Sequence, residues 1–115
     1  MNSKERLAAA LNHLQPDRVC VDFGGTWISG IHASIVYKLK QRLFGPNAAP
    51  TRVHEPYQML AQVDEELRTA LGVDVIGVWP RKNIFGYEDG GWKPFTLFDG
   101  TPCLVPGNFI GLVVQ

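Results

Sequence analysis

Arg18-Val-Cys-Val-Asp-Phe23, closed by Gly24-Gly25, alternates apolar with small or polar residues and then stops on a glycine pair, which predicts a first β-strand. Upstream, Asn2-x-x-Glu5 resembles a capping box. Leu7, Leu11 and Leu14 follow on one helical face, so a helix is expected over residues 3–14, ended by Pro16. Downstream, Ile31, Ile35, Leu39 and Leu43 recur every four residues, while Lys38, Lys40, Gln41 and Arg42 supply a wet face. That is a second helix, closed by Gly45-Pro46. Residues 47–56, rich in Pro and Ala, read as a loop. Leu60, Val63, Leu67 and Leu71 form a third helical stripe, with Gly72 placed as its C-terminal glycine.

Residues 73–79 are an apolar, β-prone run of the kind buried on both faces of a parallel sheet. A connection of roughly fifty residues between the two runs suits a helical crossover, which makes the strands parallel. From 84 to 104 the chain turns aromatic and β-prone, punctuated by Glu88-Asp-Gly-Gly91 and Asp99-Gly100, and a small antiparallel β-meander is expected. Residues 1–83 are therefore expected to form the helix and first β/α elements, and 84–115 the meander. The apolar run over residues 110–115 carries no turn or capping signal, which reads as an interruption.

Composition narrows the setting. With 45% apolar and 19% charged residues over 115 positions, the chain suits one small globular domain. Eleven basic residues balance eleven acidic ones and are scattered, so no electrostatic footprint for nucleic acid or an anionic membrane exists. Polar and charged residues follow the short apolar run at 7–11 at once, excluding a secretory signal or a span there. Cys20 and Cys103 lack CxxC spacing and suit reduced cytoplasmic thiols.

Glu5-Arg-Leu-Ala-Ala-Ala-Leu-Asn-His13, Pro16-Asp-Arg-Val19 and Val21-Asp-Phe-Gly-Gly25 resemble, in order and spacing, the opening of the uroporphyrinogen decarboxylase superfamily, "ERLLAALNHxxPDRVPVDxGG", with Cys20 in place of the usual proline. Gln62-Val-Asp-Glu-Glu-Leu67 followed by Leu71-Gly-Val-Asp74 is similar to the helix leading into the family's second strand. Phe98-Asp-Gly-Thr-Pro-Cys-Leu-Val-Pro-Gly107 resembles a β-insertion of its methyltransferase-like branch. The resemblance implies an α/β fold, the first two strands of a (β/α)8 TIM barrel, with the active site at the C-terminal strand ends. Intact members run to about three times this length, so the chain would be an N-terminal portion, catalytically incomplete alone.

The family's activities are decarboxylation of uroporphyrinogen, a carboxy-lyase step of porphyrin biosynthesis, and zinc-dependent methyl transfer between a corrinoid protein and a thiol. Decarboxylases carry an arginine-rich loop after strand one and an aspartate after strand two. Here Gly24-Gly-Thr-Trp-Ile-Ser-Gly30 has no Arg, and Arg81 stands near the expected carboxylate, which favours the methyltransferase branch. Zinc and a corrinoid partner are then implied for the intact enzyme, with ligands (His-x-Cys and a later Cys) beyond this chain, which itself takes no cofactor or metal. A stand-alone binding or assembly module, self-associating through exposed strand edges, and a non-functional truncated fragment are the alternatives.

Six residues are candidates for holding a small-molecule substrate. Gly24, Gly25 and Thr26 follow strand one, where a glycine turn either admits a ligand to the backbone or serves a tight exit. Asp22 is either an acid or a ligand-orienting group pointing inward, or a buried carboxylate paired with Arg18 or a backbone amide. Arg81 and Lys82 either hold an anionic group or are exposed loop charges. His13, His32 and His54 have no metal-ligand spacing.

Overall fold

The computed structural model describes residues 1–111, so the end of the apolar run, residues 112–115, lies outside the described residues. The chain divides into two units, Met1–Gly30 with Val63–Val78, and Ile31–Gln62 with the chain from Trp79 onward.

In the first unit, α1 (Ser3–Leu11) starts at a reciprocal capping box: the Asn2 side chain accepts from the Glu5 amide at 2.8 Å and Glu5 accepts from the Asn2 amide at 3.0 Å. The helix ends earlier than its leucine spacing suggests, because His13 adopts a left-handed φ of 59° and Leu14 N–H bonds back to Ala9. The other helix of this unit, α3, spans Glu65–Leu71. Asp64 caps it by accepting from the Leu67 amide at 3.0 Å, and Gly72 closes it at φ 64°. Its apolar core is small: Ala9, Val63 and Leu67 are the buried hydrophobic residues.

The expected pair of parallel strands, and with it the opening of a TIM barrel, is not what the chain forms. Residues 18–23 and 73–78 make no ladder; their one backbone bond runs from Asp74 N–H to the Val21 carbonyl at 2.9 Å. The Val21 N–H turns instead to the Asp74 carboxylate. A parallel strand must be covered on both faces. Here Val19, Ile76 and Val78 are 80%, 70% and 98% exposed, so that cover is missing.

In the second unit, α2 (Ala33–Phe44) begins at His32, whose Nδ1 accepts from the Ser34 amide, and leads into a 3-10 turn at Gly45–Asn47. The helix lies where the i, i+4 spacing puts it but is rotated. Val36, Ala33 and Lys40 are buried, whereas Ile35 and Leu43 of the expected stripe are exposed. Lys40, expected on the wet face, keeps its ammonium within 3.5 Å of the Pro50 carbonyl. β1 (Val53–Glu55), inside the expected loop, pairs antiparallel with β2 (Leu60–Ala61), where the third helical stripe was expected to begin. After α3 come β3 (Lys93–Thr96) and β4 (Pro102–Val105), an antiparallel hairpin in register from Lys93 against Val105 to Thr96 against Pro102. Its turn is the predicted Asp99-Gly100, with Gly100 at φ 87° and the Asp99 carboxylate accepting from the Thr101 amide. Among the described residues both sheets are two-stranded and antiparallel, so the fold is a loose mixture of helix and hairpin. Val53, Leu60, Leu97, Cys103 and Val105 supply this unit's core.

Candidate functional site

The loop after residue 23 is closed on itself. Asp22 is exposed, not the buried carboxylate expected, and its Oδ1 accepts from the Gly25 amide at 3.0 Å. Gly24 N–H donates to the Ser29 carbonyl, and the Thr26 and Ser29 hydroxyls lie 3.2 Å apart. Gly24 has φ 80°, and a Cβ there would come within 2.5 Å of Val63 Cγ2. The glycine thus serves close packing against Val63 as well as the turn. We predict that Gly24→Ala destabilises the chain by about 1–3 kcal/mol, read from urea unfolding. Arg81, 88% exposed on its side chain, pairs with Glu88 at 3.3 Å, and Lys82 bridges Glu88 through the backbone. Each has a local role; Asp22, Gly24, Gly25 and Thr26 belong to the first unit and Arg81 and Lys82 to the second.

The unit-one residues that do converge are others. Asp74, with a fully buried side chain, accepts five hydrogen bonds. Ser3 Oγ (2.8 Å), Arg6 Nη1 (2.6 Å) and Arg18 Nη2 (3.1 Å) reach Oδ1; Arg18 Nη1 (2.8 Å) and the Val21 amide (2.9 Å) reach Oδ2. Arg6, only 6% exposed, adds Nε and Nη2 bonds to the two Asp17 oxygens, at 2.7 and 3.0 Å. Two guanidiniums and the Met1 ammonium, 3.6 Å from Asp17, face the two carboxylates, and Arg6 meets Asp17 through a bidentate fork. The Val21 amide, then Ser3 and the arginines, hold the Asp74 carboxyl well below the usual carboxylate range, against the opposing effect of burial. Hydrogen bonds from Arg6 do the same for Asp17, and Asp17 in turn raises the Arg6 guanidinium. Asp74 lay in a quoted motif, but a separation of 68 residues from Arg6 leaves no spacing signal for the pairing.

The second unit holds an acidic and aromatic region. Glu55, 4% exposed, accepts from the Tyr57 and Gln58 amides at 3.0 and 2.8 Å. Asn83 donates from Nδ2 to Asp89 at 3.0 Å and accepts the Phe85 amide on Oδ1 at 3.0 Å. Burial, with a smaller contribution from Glu55, pushes the Asp89 carboxyl up; burial and Asp89 push the Tyr87 hydroxyl up. Tyr57, Phe85, Tyr87 and Phe109 line an open cup of about 460 Å³. Residues 85 and 87 share strand spacing, but 57 and 109 lie more than twenty residues to either side, so no single period joins the four.

The three histidines are dispersed. His13 ends α1, His32 caps α2, and His54 lies with its ring centroid 4.1 Å from that of Trp79, tilted by 58°. Burial lowers His54 to about 4. Because the folded value lies below the free value of about 6.5, the unfolded chain binds the extra proton between the two. Stability should therefore be full above about pH 6.5 and fall as pH drops toward 4, with His54→Gln removing much of that slope in urea unfolding at about pH 7.5 and about pH 5.

Cys20 and Cys103 are free thiols, and burial raises that of Cys103. Among the described residues no set of His, Cys, Asp and Glu could hold a metal, so these residues do not fit a zinc centre. No helix among them is long and apolar enough to cross a membrane. Scans against family models, curated proteins and solved structures return no match to this chain.

Proposed function

We propose that the chain is the N-terminal portion of a uroporphyrinogen decarboxylase-like enzyme of the corrinoid and thiol methyltransferase branch, and that it serves as scaffold rather than as the source of the reacting groups. One observation carries this reading: Arg6 of the Glu5–His13 stretch, Asp17 and Arg18 of Pro16–Val19, and Asp74 of Leu71–Asp74 meet in a single network. Three separated stretches that resemble one family thus have a common physical reason for their order and spacing. These four charged groups pair with one another, which suits orientation of the chain more than catalysis. Zinc and a corrinoid protein belong, on this reading, to the intact enzyme and to residues other than those described. Two free thiols favour a cytoplasmic setting.

The test is to express the complete reading frame that contains this sequence, then measure bound zinc and methyl transfer from methylcobalamin to a small thiol. The intact product should do both, and the 115-residue chain neither. Release of carbon dioxide from uroporphyrinogen, or an intact product without methyl transfer, would overturn the proposal. A second reading, a self-associating binding module, is favoured by the exposure of Ile28 (100%) and Val78 (98%). A stable oligomer of the 115-residue chain in sedimentation would support it over the first.

A further inference from the structure

The aromatic cup of the second unit has a volume of about 460 Å³, inside the range of about 300–1,000 Å³ in which small-molecule sites fall. Its rings are close enough to act on one group: the centroids of Tyr57 and Phe85 are 6.4 Å apart, and those of Phe85 and Tyr87 are 6.3 Å apart. An apolar cup by itself would accept any apolar ligand. The two carboxylates behind its walls narrow the choice.

Glu55 holds the backbone of the Tyr57 wall directly, through the Tyr57 amide. Asp89 holds the Phe85 wall through Asn83, whose two ends bond the Asp89 carboxylate and the Phe85 amide. The hydrogen bonds these acids accept come from uncharged amides, so their negative field is not cancelled by those donors. Lys93 donates its ammonium to the Phe109 carbonyl at 2.7 Å.

From this we infer that the cup binds a small organic cation, a methylated or quaternary ammonium group on a short chain. Ring faces attract such a cation, its methyl groups lose water easily, and Glu55 and Asp89 complement its charge. A metal ion is a poor fit, since neither carboxylate lines the cup. An anion would meet the field of both acids.

The experiment is calorimetric titration of the full chain with choline and with its neutral isostere 3,3-dimethylbutan-1-ol. Choline should bind about tenfold more tightly or better, because shape is shared and only the charge differs. Equal affinity for both compounds, or no binding of choline, would overturn the inference. Phe85→Leu keeps apolar volume and removes a ring, and should weaken choline about tenfold while leaving the isostere unchanged. Should that variant fail to fold, as judged by circular dichroism, Asp89→Asn replaces it and should weaken choline several-fold. Unchanged choline affinity in a folded variant would sink the proposal.

Discussion

Asp74→Ala should lower the thermal unfolding midpoint by on the order of 10 °C or more, the largest loss expected from a single substitution in the first unit. The change strips five donors of their acceptor at once and leaves the Arg6 guanidinium, already away from water, with Asp17 alone as carboxylate partner. Asp74→Asn should do little better, because its amide presents a donor where donors already converge. Arg18→Ala should cost less, since that side chain is 44% exposed and water replaces its bonds. The pH dependence has a definite sign. A carboxyl held below its free value stabilises fully above about pH 4 and loses that contribution as pH falls toward the folded value. Wild-type stability from this network should thus survive mild acid, and the Asp74→Ala variant should lose the acid-sensitive part, read by circular dichroism melts.

Leu67→Ala should cost about 2–5 kcal/mol. Its side chain is fully buried, in a unit whose other buried hydrophobic residues are only Ala9 and Val63. Seven residues are too few for α3 to persist on helix propensity alone. Leu67, the Asp64 cap and the Gly72 closure must therefore hold it together. Leu71→Ala, at a half-buried position, should cost much less. Urea unfolding gives both values, and an unchanged dependence on urea concentration in the Leu67 variant would assign the loss to packing.

Local signals were the legible part of this fold. The Asn2 box, the Gly72 closure and the Asp99-Gly100 turn each depend on a few neighbouring residues whose side chains or φ preferences act within one turn of chain. What depends on distant partners was not legible. The run at 73–79 has the composition of a doubly covered strand, but composition cannot supply a neighbour, and Val21 gives its amide to a carboxylate instead. In α2 the period was readable and the phase was not: Lys40 buries its stem and holds its ammonium near the Pro50 carbonyl, which rotates the buried face away from Ile35. At 53–55 a strand of three residues is too short to alternate visibly, so it was hidden within a loop rich in Pro and Ala. Of the candidate site, Asp22 has an amide partner but not the burial expected of it, because burial depends on chain that packs from elsewhere. Arg81 and Lys82 found Glu88, seven and six residues on, a pairing the sequence permits but does not specify.

The reach from Arg6 to Asp74 also sets an order of events as the chain is made. Helix α1 and the Arg6–Asp17 pair, 11 residues apart, have all their atoms early. The keystone arrives 68 residues after Arg6, which at synthesis rates of about 5–20 residues per second is roughly 3–14 s later. Through that interval the nascent N-terminus carries a guanidinium short of an acceptor, and the whole intervening stretch, residues 31–62, is synthesised before the first unit can lock. Closure of the N-terminal unit is then a late, long-range step in folding, timed by the appearance of one carboxylate.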